Sequence, residues 1–266
     1  MAIFDTEDKC AKSLVFWENT FNEALSDIKN RGTPQKPYGR GNVYSFGVAG
    51  ALKQIGYLNV GLRRYPEALG AFHQMTEFRS LVYEKFYQGL DINTGNLAAG
   101  HWQILCLSLL TRNNQIISRF NNVYKQLVFG EDDRFDKLPE SLYIGQILSR
   151  MVDGRLSEAK EIMLYTKRPK LDTRFRGTYE ILDAIADMNE KKITVTIAEG
   201  GIHWQKYMQR HKDEVDSICF LYGAGLHHLA ETILCKDIEL NTPQIPQGLI
   251  DKISYEPYCI PNCAFL

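Results

Sequence analysis

Proline is missing from two long stretches of this chain of 266 residues, 67–138 and 170–242. All nine prolines lie elsewhere, at Pro34, Pro37, Pro66, Pro139, Pro169, Pro243, Pro246, Pro257 and Pro261. Proline lacks an N–H and its ring clashes with the preceding helical turn, so long proline-free stretches leave room for continuous helices. A basic excess is missing too. Lys and Arg total 31 against 32 Asp and Glu, a net charge of −1, whereas a dedicated nucleic-acid binder carries a basic surplus or stripe. No nucleic-acid partner is expected. No segment approaches the roughly 20 apolar residues needed to cross a bilayer. The densest run, Ile104–Leu110 (ILCLSLL), is far shorter, and no membrane partner is expected. The first ten residues, MAIFDTEDKC, lack the basic start and apolar core of a secretory signal. Six cysteines dispersed through so long a chain read as reduced thiols, which places the protein in the cytoplasm.

Catalytic signatures are missing as well. There is no Walker A loop, HExxH, G-x-S-x-G elbow or CxxC pair. Gly39-Arg40-Gly41 looks glycine-rich, but Pro34 and Pro37 precede it and the third glycine of a dinucleotide fingerprint is absent, so it reads as a linker turn. The expectation is a protein that is not an enzyme and needs no cofactor.

What the chain does have is helical periodicity. Ala68, Phe72, Met75, Val82 and Phe86 follow alternating steps of four and three, broken only by Arg79. Trp102, Leu105, Cys106 and Leu109 repeat at i, i+3, i+4, i+7, as do Ile144, Ile147, Leu148 and Met151, and again Val215, Ile218, Cys219 and Tyr222. Such stripes bury one face of each helix. Helices are expected at about 8–30, 43–61, 66–89, 97–111, 114–128, 139–152, 156–166, 174–188, 191–210 and 214–234. Ile193-Thr194-Val195-Thr196-Ile197 alternates like a strand, but Ile193, Ile197, Trp204 and Met208 also suit a helix and no partner strand is evident, so helix is the reading.

Two helical hairpins stand out: Leu52–Leu62, a basic turn, then Pro66-Glu67-Ala68; and Leu142–Val152, Asp153-Gly154-Arg155, then Leu156-Ser157-Glu158-Ala159. Each is similar to one tetratricopeptide-type unit, without the fixed 34-residue period of an array. His-Trp-Gln occurs twice, at His101–Gln103 and His203–Gln205. After Leu240 the prolines impose an extended tail, with a turn near Gly248–Ile253, whose apolar residues should pack across the body. The fold class is therefore all-α: an irregular multi-helix bundle or solenoid-like stack of hairpins with an extended C-terminal tail. One domain is expected, its length also admitting two lobes, about 1–130 and 131–266.

Four features could carry function. Glu199 and His203 lie at i, i+4, as do His227 and Glu231, so two neighbouring helices could converge four metal ligands; ordinary hydrogen-bonded histidines are the commoner outcome of such spacing. Glu131, Asp132, Asp133 and Asp136 form an acidic loop that could enter a basic active site on a partner, although charged loops are usually just solvated. Lys167, Arg168, Lys170, Arg174 and Arg176 read as a solvated linker. Cys259 and Cys263 fit no zinc spacing, and the C-a-a-X match at Cys263–Leu266 lacks an upstream basic stretch.

The C-terminal third adds a resemblance. Asp213-Glu214-Val215-Asp216 opens a stretch reading SICFLYGAGLHHLAE, followed by a polar link and Pro243-Gln244-Ile245-Pro246-Gln247-Gly248-Leu249-Ile250. This resembles the end of the bacterial immunity protein 49 family, which belongs to polymorphic-toxin and type VI secretion systems, and His101-Trp102 and Arg155–Ala159 are similar in style. The likeness is best over 213–250, loose elsewhere, and leaves 251–266 unexplained. A second immunity family, neutralising PoNe-type DNases, shares the helical character. The resemblance implies a non-enzymatic cytoplasmic protein that binds a cognate toxin and occludes its active site, with a homodimer also open. The alternatives are a tetratricopeptide-like scaffold for a protein or peptide, and a metal-dependent helical enzyme.

Overall fold

The computed structural model describes residues 6–31, 48–87, 101–129, 141–165, 177–211 and 214–258. Among them every regular element is helical: α1 (Glu7–Arg31), α2 (Ala49–Gly61), α3 (Tyr65–Tyr87), α4 (His101–Leu110), α5 (Asn114–Phe129), α6 (Ser141–Val152), α7 (Leu156–Tyr165), α8 (Thr178–Ala186), α9 (Glu190–Met208), α10 (Leu221–Leu234) and α11 (Gln247–Ile250), with a 3-10 turn at Val215–Ile218. No helix among the described residues is long and apolar enough to cross a membrane.

The strand-like alternation at 193–197 lies inside α9. Asn189 caps that helix by accepting the Lys192 N–H at 3.0 Å. Ile193, Thr196, Ile197, Gly200, Gly201, Trp204 and Met208 then form its buried stripe, so the helical period outweighs β-branching. One expected helix is corrected. Residues 214–234 are not continuous, because the Phe220 N–H donates to the Gln244 carbonyl at 2.8 Å instead of to the preceding turn. The chain therefore leaves the 3-10 turn, passes Cys219 and Phe220, and restarts as α10.

The chain forms two compact units, one from Met1–Gly95, Lys212–Ile218 and Lys252–Leu266, the other from Asn96–His211 and Cys219–Asp251. The chain re-enters the first unit twice after leaving it, so the units are not consecutive halves of the sequence.

In the first unit α2 packs against α1, α3 and the 3-10 turn. Its apolar residues are buried nearly all round, from Ala49 to Val60. The Lys53 ammonium meets buried Asp216 at 2.9 Å. Residues 252–258 lie on the same unit: the Tyr258 N–H donates to the Gly70 carbonyl at 3.1 Å, the Tyr258 ring meets Phe21 edge-on, and the Tyr255 hydroxyl contacts His73 Nδ1 at 2.9 Å. The described part of the tail after Asp251 thus packs on the first unit.

Four hairpins share one turn. α2–α3, α4–α5, α6–α7 and α8–α9 are each linked by three residues whose middle member, Arg63, Arg112, Gly154 or Met188, has φ between 53° and 74°. In every case that residue's N–H bonds back to the carbonyl three residues earlier, a left-handed helix ending that satisfies the last carbonyls. Two of these hairpins were visible in the sequence.

In the second unit α4, α6 and α8 lie side by side in chain order, and α10 packs against α4, α8 and α9. All ten residues from Leu221 to Ala230 are buried, as expected of a helix enclosed on every side. Small residues permit this. A Cβ on Gly225 would be driven into the backbone of Cys106 on α4, and one on Gly223 into the Phe220 ring. The two His-Trp-Gln tripeptides take matching places: Trp102 packs on Tyr222 while Gln103 accepts from the Tyr222 hydroxyl at 3.2 Å, and Trp204 packs on Phe220 while Gln205 accepts from Gln244 at 2.9 Å.

Candidate functional site

Histidines 227 and 228 and Glu231 stand at i, i+1 and i+4 on α10, so the carboxylate lies one turn from both rings. Among the described residues these three form the convergent group of potential metal ligands, with ligand atoms all within 4.8 Å of one another. The four-residue set that the spacing allowed is not the one that converges. His227 and Glu231 come together, but with His228; Glu199 and His203, an exposed and a half-buried residue on α9, do not join them. The i, i+4 rule identified the right helix and chose the wrong second element.

The group meets a side chain that spacing rules pass over. Arg112, in the turn between α4 and α5, donates through Nη2 to Glu231 Oε2 at 2.8 Å and to the Ile250 carbonyl at 2.6 Å, and through Nε to His228 Nδ1 at 3.0 Å. His228 Nε2 faces the Leu249 carbonyl at 3.1 Å and His227 Nε2 faces that of Ile238 at 2.9 Å. A carbonyl can only accept, so each Nε2 carries its ring's proton and each Nδ1 holds a lone pair. Glu231 Oε1 accepts the Ile238 N–H at 3.3 Å. His227 Nδ1 is buried without a hydrogen-bond partner.

Guanidinium is the cation this group holds. A transition metal would need to stand about 2.0–2.2 Å from imidazole nitrogen and carboxylate oxygen. Arg112 Nη2 lies 2.6 Å from His228 Nδ1 and 2.8 Å from Glu231 Oε2, so metal and guanidinium cannot share the place. The arrangement instead clamps the chain after α10, because its side chains satisfy the backbone of Ile238, Leu249 and Ile250. That stretch brings Ile238, Leu240, Ile245, Leu249 and Ile250 into the core.

Burial pushes the His227 and His228 pKa values below the ordinary 6.5, against opposing effects of Glu231 and, for His227, the Ile238 carbonyl. Burial alone would raise Glu231. In their protonated forms His228, by a hydrogen bond, and His227, by its charge, join the Ile238 N–H and Arg112 to outweigh it and hold the carboxyl at about 2. All three folded-state pKa values lie below the unfolded ones, so the unfolded chain binds more protons and stability rises with pH. The histidine contribution is complete above pH 6.5 and is lost as pH falls below it; that of Glu231 is lost from about 4.5 towards 2. Melting temperature is therefore expected to drop between pH 7 and 5, and to drop less in His228→Gln. An unchanged slope in that variant would remove His228 from the account.

The other candidates fall differently. Glu131, Asp132, Asp133 and Asp136, the basic cluster 167–176, Gly39–Gly41 and Cys259 with Cys263 lie outside the described residues. The described surface exposes large apolar side chains at Val15 and Phe16 on α1, Tyr143 on α6, Leu164 on α7, Met188 before α9, and Val195 and Ile202 on α9. Sequence reasoning had placed no function on these helix faces. No protein-family model, curated protein or solved structure matches the chain.

Proposed function

We propose that this protein is a cytoplasmic immunity protein that binds a cognate bacterial toxin and occludes its active site, without catalysis. The observation that carries this reading is the state of the cluster on α10. It is the convergent group of potential metal ligands among the described residues, and apart from His227 Nδ1 its polar atoms are directed at Arg112 and at the chain's own backbone. Outer helix faces meanwhile leave apolar side chains uncovered, which suits docking to a protein. The likeness of residues 213–250 to immunity protein 49 supplies the class of partner. Within that span, Leu221–Ile250 build the enclosed helix α10 and the clamped segment after it.

The acidic residues Glu131, Asp132, Asp133 and Asp136 are proposed to enter a basic active site on the toxin. A scaffold reading has the four like hairpin turns in its favour. In the second unit, however, α10 lies against α4 and α8, where an inner peptide groove between the hairpins would have to open.

Co-expression with the toxin encoded beside this chain's gene should restore growth. Charge reversal at Glu131, Asp132, Asp133 and Asp136 should weaken that protection. Cells that die equally with and without the protein would rule the immunity reading out.

A further inference from the structure

On α9, two large apolar side chains are left exposed on one face. Val195 and Ile202 lie seven residues apart and are 49% and 45% exposed, and Met188, in the turn before the helix, is 53% exposed. A spacing of seven keeps side chains on one helix face and is the repeat by which one helix seats against another. Around them stand exposed Lys191, Glu199, Lys206 and Arg210. These four form no ion pair among the described residues. Elsewhere on the same unit Lys125 pairs with Asp153, Arg155 with Glu158, Lys160 and Lys192 with Asp187, and Lys236 with Glu190. The cations left open thus gather on the helix face that also leaves its apolar residues open.

We propose that this face of α9 docks an acidic amphipathic helix of a partner protein. The inference rests on the reading that the protein works by binding another, and it names a second contact with chemistry opposite to that of the acidic loop. The charge order selects the occupant. From Lys191 through Val195, Glu199 and Ile202 to Lys206 the face reads positive, apolar, negative, apolar, positive. A second copy does not fit: antiparallel pairing about the midpoint sets Val195 on Ile202, but also Lys191 on Lys206, and like charges directly opposed exclude a partner. Nucleic acid and anionic lipid are disfavoured by Glu199 at the centre, which would face phosphate. A helix with two apolar anchors, carboxylates outside them and one lysine between matches every position.

The test uses a synthetic peptide about 18 residues long with two leucines seven apart, glutamates outside them and a lysine between. Binding to the full chain is followed by fluorescence anisotropy. Wild type should bind it, more weakly as salt rises, and K191E/K206E/R210E should lose at least about tenfold in affinity while keeping the wild-type melting temperature, since the exchanged side chains are exposed and unpaired. The same variant should gain affinity for a peptide with lysines in place of the outer glutamates. Val195→Ser with Ile202→Ser, which leaves the charges alone, should also weaken binding. No binding by wild type, equal binding by the charge variant, wild-type dimerisation through this face, or preference for RNA or phosphatidylserine vesicles would overturn the proposal. If the peptide binds as described but the protein gives no protection from the adjacent toxin, the immunity reading fails and the docking face stands. If protection persists while the peptide is ignored, the reverse holds.

Discussion

Replacing Arg112 with methionine is expected to destabilise the second unit by about 3 kcal/mol, the range found when one member of a buried charged pair is removed. The magnitude follows from what is left behind. Glu231 Oε2, the Ile250 carbonyl and His228 Nδ1 each lose a donor 2.6–3.0 Å away. The Glu231 side chain is only 12% exposed and that of Arg112 25%, so water can replace the lost bonds only in part. Methionine retains most of the packing volume, which assigns the loss to charge and hydrogen bonding. Arg112→Lys should recover only part of it, because one ammonium cannot reproduce the guanidinium fork across three acceptors. Denaturant unfolding checks both variants. A cost under about 1 kcal/mol for Arg112→Met would place the pair among surface ion pairs and end its role as a clamp.

The second large effect is steric. Gly225→Ala should destabilise by about 2 kcal/mol or more, although alanine is the better helix former by about 1 kcal/mol. The new Cβ would stand 2.9 Å from the Cys106 carbonyl carbon and closer still to its oxygen. Backbone of a packed helix cannot step aside as a side chain can, so α4 and α10 would have to separate, and overpacking of this kind typically costs about 1–3 kcal/mol. Gly50→Ala on α2 is the contrast, because nothing lies within 4 Å of its Cβ position. There only the propensity gain remains, and a rise in stability of up to about 1 kcal/mol is expected. Equal effects at the two sites, read by thermal melting, would show that the α4–α10 approach is not tight.

The helices were legible in the sequence because each carries an apolar stripe bounded by proline, glycine or a cap. Periodicity failed where long-range bonds decide. At Phe220 the pattern continues through a break that the Gln244 carbonyl creates, and no local window contains both residues. Two of the four hairpin turns went unread because neither proline nor glycine marks them: Pro66 signals the turn at Arg63 and Gly154 its own, whereas Arg112 and Met188 take the left-handed conformation with no such neighbour. Asn113 and Asn189, each accepting backbone N–H bonds at the next helix start, were the signal that could have marked them. The cluster on α10 was half legible: spacing on one helix found His227 and Glu231, while Arg112 reaches them across 119 positions of sequence. The apolar stripe on α9 was hidden for another reason. Val195 and Ile202 look like core residues until the buried face of their helix is known.

Titration of the purified adjacent-gene toxin with this protein, following toxin activity, tests the central claim most directly. Binding predicts inhibition that rises linearly and is complete at a fixed stoichiometric ratio, with a complex stable to gel filtration. Inactivation of many toxin molecules by one molecule of this protein would mean turnover, and would contradict the account.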